Sequence, residues 1–173
     1  MEGVVCEDNT VMLAVEGEGL LQVNRDTLER KFFKLKGSGF KITKKRGIEG
    51  LAKIKNRYYL SIQAKNRDDS KLLVVRLDGD NAVVEKVINH GIIDSSGLTY
   101  ENKKLYIVSD TNDTLYIYDI EQKVVEKEIE LPKFAQEGVA FGKRGYIFFA
   151  DDNGTVLRYS LEDFGLQGTS NSR

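Results

Sequence analysis

The sequence predicts an all-β chain of about four β-propeller blades, each made of antiparallel strands. Three observations carry this. A short motif recurs as Glu2-Gly3-Val4, Glu49-Gly50-Leu51, Ser96-Gly97-Leu98 and Glu137-Gly138-Val139, in steps of 47, 47 and 41 residues. A period in the forties is the mark of a repeat architecture. Each repeat carries several short runs rich in β-branched and aromatic residues, separated by Asn, Asp, Lys and Gly turns, which reads as strands joined by hairpins. Four such strands per repeat specify a propeller blade, whereas helical repeats and leucine-rich repeats do not fit.

Within each repeat the innermost strand starts at the leading Glu or Ser. The second strand covers residues 11–15, 58–62, 105–108 and 146–149, and the third covers 20–23, 72–77, 115–120 and 156–159. A fourth strand, with charges interleaved among apolar residues, covers 28–35, 82–88 and 124–131. The stretch that contains the last of these, EQKVVEKEIEL at 121–131, is rich in helix formers. Its place as the fourth segment decides for an outer strand, which Pro132 ends. The propeller repeats thus occupy residues 1–163, with blades near 1–36, 47–89, 94–131 and 135–163, and residues 164–173 read as a flexible tail. The fourth repeat has no fourth strand, so three readings stand: a minimal four-bladed ring, an incomplete ring, or a ring completed by a homo-oligomer through open blade edges.

Composition narrows the chemistry. A formal net charge of −1 gives no general attraction to nucleic acid or to an anionic membrane. No apolar run is long enough for a transmembrane segment. As written, with no secretory leader after Met1, the chain reads as cytoplasmic; an upstream signal peptide would make it periplasmic or exported. One cysteine, Cys6, and one histidine, His90, exclude a Cys/His zinc cage and leave little basis for a histidine-dependent triad. Cys6 reads as a small core residue of the first inner strand, and His90, before Gly91, as a turn cap.

Acids are the residues that repeat. Fourteen positions after each leading residue stand Glu16, Gln63, Asp110 and Asp151, all oxygen-bearing acceptors at the end of the second strand. In a propeller, that point and the entry to the innermost strand share one face beside the central channel. Glu2, Glu49, Asp94 or Ser96, and Glu137 therefore converge there with the second set. Close carboxylates repel by a few kcal/mol per pair at an effective dielectric of about 20, and a cation or protons must offset this. Oxygen-only donors suit calcium, with Glu2, Glu16, Glu49, Asp94, Asp110, Glu137 and Asp151 as candidate ligands. The same acids could instead fasten blade to blade by accepting backbone N–H groups. Gln63, Ser96, Lys65 and Arg67 are candidates for binding a small ligand, the last two on the long hairpin 65–69. Glu49 and Asp110 are the candidates for general acid–base work.

The blade cores carry a family resemblance. The stretches IEGLA at 48–52, DSSGLTY at 94–100 with IVSD at 107–110, and QEGVA at 136–140 resemble successive blade motifs of the SdiA-regulated family of bacterial β-propellers. That family is related in shape to esterase-like phytase and NHL-type propellers. The resemblance covers essentially the whole chain and implies a propeller often associated with calcium, without a well-established reaction. Family members are commonly exported and carry at least one more blade ahead of the position of Glu2. Two functions follow as expectations: a non-catalytic binding or scaffold propeller with a divalent cation in its funnel, or a calcium-dependent hydrolase of lactonase, esterase or phytase type.

Overall fold

The computed structural model describes residues 2–43 and 46–166, and its strands fall into four repeats. The first holds β1 (Val4–Cys6), β2 (Thr10–Val15), β3 (Gly19–Asn24) and β4 (Arg30–Lys36). The second holds β5 (Ile48–Ile54), β6 (Arg57–Ile62), β7 (Lys71–Asp78) and β8 (Asn81–Asn89). The third holds β9 (Ser95–Glu101), β10 (Lys104–Ser109), β11 (Thr114–Asp119) and β12 (Val124–Glu130), and the fourth, among the described residues, holds β13 (Gln136–Phe141), β14 (Tyr146–Asp151) and β15 (Val156–Ser160). Neighbouring strands within each repeat pair antiparallel. These are the blades the sequence predicts.

The helix-like segment is strand β12, as its position required. The first outer strand begins at Arg30 rather than at Leu28. Leu28 has φ +59° and is exposed, because the Asn24 side chain caps a tight turn through the N–H groups of Asp26 and Thr27.

The inner strands β1, β5, β9 and β13 stand side by side in that order. Three apolar clusters fill the three spaces between successive blades. Met12, Ala14, Leu20 and Phe33 meet Ile48, Leu51 and Leu60 between the first and second. Leu72, Val74 and Ile88 meet Leu98, Leu105 and Ile107 between the second and third. Tyr106, Val108, Leu115 and Ile117 meet Val139, Ile147 and Phe149 between the third and fourth. Burial of these faces at about 25 cal/mol per Å² of apolar surface is the main force holding blade to blade.

Two features were not anticipated. The outer strands β4 and β8 pair in parallel through Lys34↔Asn81, Leu35↔Ala82 and Lys36↔Val83. The first two blades are thus one eight-stranded sheet, which removes two exposed edges. The other is a 3-10 helix, Leu161–Phe164, with a capping box from Ser160 and Asp163. Phe164, expected to begin a flexible tail, instead packs edge-on to Phe149 and Tyr159 at 5.9 and 5.4 Å. The rest of that expected tail, 167–173, lies outside the described residues.

Glycine explains how closely the inner strands stack. A Cβ on Gly50 would fall 2.7 Å from Leu98 Cγ, and one on Gly97 would fall 2.7 Å from Gly138 Cα. Gly97→Ala therefore forces the third and fourth blades apart, at an expected cost of about 1–3 kcal/mol in chemical unfolding. Gly138→Ala meets only Ala150 Cβ, at 3.3 Å, and is expected to cost about 1 kcal/mol or less.

Candidate functional site

The leading residues of the second, third and fourth repeats sit at β-bulges. Pairing runs Ile48↔Ile62 then Gly50↔Ser61, Ser95↔Ser109 then Gly97↔Val108, and Gln136↔Asp151 then Gly138↔Ala150. The residues passed over are Glu49, Ser96 and Glu137. A bulge frees one residue from the ladder and re-aims its side chain, so three blades set a polar side chain beside the channel by the same device. Beside the inner strands, between the first and fourth blades, lies a cavity of about 280 Å³ lined by Glu2, Gly3 and Val4 on one side, Glu137, Gly138, Ala150 and Val156 on the other, and Gly50 and Gly97 among others.

Negative charge accumulates at the mouth of this cavity. Partial burial, then the charges of Glu2, Glu16, Glu137 and Asp94, push Glu49 from the ordinary carboxyl range to about 7. Partial burial, then Asp152, Asp110, Asp94 and Glu2, push Glu137 to about 7. Carboxylates from all four blades therefore act on one another here, and near neutral pH Glu49 and Glu137 share protons with solvent.

The other predicted residues divide between this mouth and the joints around it. Asp110 accepts the Gln136 N–H at 3.1 Å, tying the third blade to the entry of the fourth. Ser96 Oγ donates to the Gln136 carbonyl. Asp94 accepts both the N–H and the hydroxyl of Thr111, at 3.1 and 2.6 Å, and the Gln63 amide lies 3.5 Å from its other oxygen. The Glu16 side chain lies against Gly47, where a Cβ would come within 2.1 Å of its Cγ. The second-strand acceptors thus reach the entrance of the following blade. Lys65 and Arg67 are exposed, and Arg67 lines a separate cleft with His90, Asn112 and Tyr116 rather than the cavity.

In the fourth blade, the fourteen-residue count misses by one. The hairpins of the second and third blades close at Ile54↔Arg57 and Glu101↔Lys104. That of the fourth closes through the Gly142 N–H to the Tyr146 carbonyl, and is one residue longer. Asp152 N–H donates to the Ala135 carbonyl just as Gln63 N–H donates to that of Gly47. Asp152 is therefore the counterpart of Glu16, Gln63 and Asp110, and it acts on Glu137. Asp151 instead accepts from Asn153 within its own turn, at 2.7 Å. The longer Gly-Lys-Arg-Gly hairpin at 142–145 was the signal that could have located Asp152.

All the acids offer oxygen, the donor that hard cations such as calcium take. Among the described residues no three His, Cys, Asp or Glu side chains stand close enough together to hold one metal ion. The acids suit calcium in kind but ring the mouth rather than forming a closed cage.

Neither lone Cys nor lone His belongs to the mouth. Cys6, expected in the core, is exposed. His90 does cap a turn, its Nδ1 accepting the Ile92 N–H at 3.3 Å, and burial holds its imidazole down at about 4.

Comparison with known proteins places the fold. No family model and no curated protein matches this chain. Among solved structures, a glutaminyl cyclase from Myxococcus xanthus aligns over 93% of this chain and 66% of its own, with TM-score 0.67 and 14% identity. A protein of unknown function from Bacteroides caccae aligns over 94% and 57%, with TM-score 0.58 and 11% identity. The hydrazine synthase of Kuenenia stuttgartiensis aligns over 93% and 46%, with TM-score 0.57 and 12% identity. The fold is a β-propeller. This chain spans between 46% and 66% of those neighbours, and identities this low speak for fold alone. No helix among the described residues is long and apolar enough to cross a membrane.

Proposed function

We propose that the acid-ringed mouth of this propeller binds a cation, calcium being the cofactor its oxygen donors suit, and that the protein works as a binding or scaffold propeller. One observation carries the reading: partial burial, and then acids contributed from every blade, raise Glu49 and Glu137 to about 7. Such a mouth stores repulsion that a bound cation relieves. Binding then displaces protons from Glu49 and Glu137, so affinity rises with pH. The resemblance of the blade motifs to the SdiA-regulated propellers agrees with this reading.

A second reading has its own support. A carboxyl titrating near 7 is matched to general acid–base work at neutral pH, and the glutaminyl cyclase neighbour is an enzyme by name. On that reading Glu49 or Glu137 moves a proton, while a cation polarises the substrate oxygen of a lactone, ester or phosphoester.

Calcium titration of thermal stability tests the binding reading. Millimolar calcium is expected to raise Tm, with about 2.7 kcal/mol of stabilisation when the ion is at about one hundred times its Kd. The rise is expected to be larger at pH 8 than at pH 6, and to be mostly lost in Glu49→Gln. An unchanged Tm at both pH values would remove the cation and leave the acids as fasteners. Turnover on lactone, ester, phosphoester or N-terminal glutaminyl substrates, abolished in Glu49→Gln or Glu137→Gln, would favour the enzyme.

A further inference from the structure

The cavity between the first and fourth blades has apolar walls and an acidic mouth. On the fourth-blade side, Gly138, Ala150 and Val156 lie on one face of the sheet through the direct pairs Gly138↔Ala150 and Ala150↔Val156. Gly138 leaves that wall open, since a Cβ there would meet only Ala150 Cβ, at 3.3 Å. Val4 stands on the first-blade side. Val4 is 58% and Val156 67% exposed, and Ala150 is exposed as well. Apolar side chains left open on facing walls of a cavity mark a place where the carbon of a ligand can be held.

The charged side chains on this lining are both acids. Among the described residues they are Glu2 from the first blade and Glu137 from the fourth, with no lysine, arginine or histidine beside them. Glu49, Asp94, Asp110 and Asp152 lie near enough to act on one or both. A field of one sign in a cleft with low-dielectric walls concentrates ligands of the opposite sign. Calcium takes about six to eight oxygens, yet among the described residues no three acidic side chains stand close enough to hold one metal ion. An ammonium group needs no such cage. Its three N–H donors are satisfied one by one, by carboxylate or carbonyl oxygens at hydrogen-bond distance.

We propose that this cleft binds a small primary amine, with its ammonium group at Glu2 and Glu137 and its alkyl body between Val4 and the Gly138–Ala150–Val156 wall. The inference rests on the reading of the mouth as a cation site and names the class of cation that uses the apolar walls as well. The acids select the sign of the ligand, and the walls select its carbon. A cavity of about 280 Å³ has room for roughly nine waters at about 30 Å³ each. That is the scale of an alkylamine of several carbons, not of a nucleotide or a folded partner. Releasing water from the walls favours the alkyl body, and charge-assisted hydrogen bonds hold the head.

Calorimetric titration of the chain with n-alkylammonium ions, from methylammonium to hexylammonium, tests this, with calcium titrated in parallel. Affinity is expected to rise about fourfold for each methylene that enters the cleft and to level off once the cleft is full. Hexan-1-ol has the carbon without the charge, and hexanoate reverses the charge. Both are expected to bind at least tenfold more weakly than hexylammonium. Ala150→Leu alters an exposed side chain and fills the cleft, so it is expected to keep its circular dichroism and its calcium response while losing at least tenfold in hexylammonium affinity. An affinity that stays level from methylammonium to hexylammonium would overturn the proposal. So would hexan-1-ol binding as tightly as hexylammonium, or an Ala150→Leu variant that binds hexylammonium undiminished. If calcium binds and no alkylammonium does, the amine fails alone; if neither binds, the cation reading of the mouth fails with it. Hexylammonium binding without calcium binding would uphold the amine and remove the metal.

Discussion

Phe149→Ala is expected to destabilise the chain by about 3–5 kcal/mol and to lower Tm by roughly 10 °C. Phe149 is 0% exposed and lies at the centre of an aromatic group. Its ring meets Phe134 and Phe164 edge-on at 5.9 Å each, and Tyr159 at 6.1 Å. These partners come from the loop before β13, the 3-10 helix and β15, so one ring joins three separate segments. The fourth blade is the one most exposed to such a loss, having three strands among the described residues where the others have four. Its hold on the third blade rests on the cluster in which Phe149 sits. Urea unfolding is the measurement, with Val124→Ala as a control whose side chain is 46% exposed and whose cost is expected within about 0.5 kcal/mol. A loss below about 1 kcal/mol for Phe149→Ala would mean that the fourth blade does not depend on this contact.

The strands were legible because side chains in a strand alternate with a period of two, and the repeats show that period four times. Position within the repeat outweighed local propensity for β12, since a helix there would have left Ile129 without the cluster it fills. What failed was whatever depends on pairing between distant segments. Nothing local in β4 or β8 announces that Lys34 will face Asn81 in a parallel pair, because that contact follows from how two complete blades lean together. Cys6 was misplaced for a related reason. An inner-strand position is buried only when a neighbouring blade covers it, and the cover is absent from the sequence of the strand itself. Asp152 was missed through a fixed count across a hairpin of variable length. The convergence of Glu2, Glu49, Asp94 and Glu137 was legible as geometry, since a repeated position in a ring architecture must recur around one axis. The bulges that set Glu49 and Glu137 at the mouth were not, because a bulge is a mismatch between two strands and neither strand shows it alone.

Glu49→Gln is expected to be more stable than the wild type at pH 8, by about 1–2 kcal/mol, and indistinguishable from it near pH 4.5. The sign follows from proton linkage. The Glu49 carboxyl titrates near 4.5 unfolded and near 7 folded, chiefly through burial and then through Glu2, Glu16, Glu137 and Asp94. The folded state therefore holds the proton more tightly. The favourable contribution is complete below about pH 4.5, is lost as pH rises through about 7, and stays lost above that. Taken whole, such a shift would be worth about 3 kcal/mol at 1.36 kcal/mol per pH unit. Glu49 is only about half buried, and solvent screening brings the figure down to about 1–2 kcal/mol. Glutamine keeps the shape and polarity without the charge, so its stability curve should be flatter between these limits. Urea midpoints taken from about pH 4.5 to 8 read this directly. Calcium gives the experiment its second arm. If a cation neutralises the mouth, the wild type regains stability at pH 8 on adding calcium and the advantage of Glu49→Gln shrinks or reverses. Should Glu49→Gln prove less stable than the wild type at pH 8 without any cation, then a donor within the fold holds Glu49 ionised, and the repulsion on which the cation-binding reading rests does not operate.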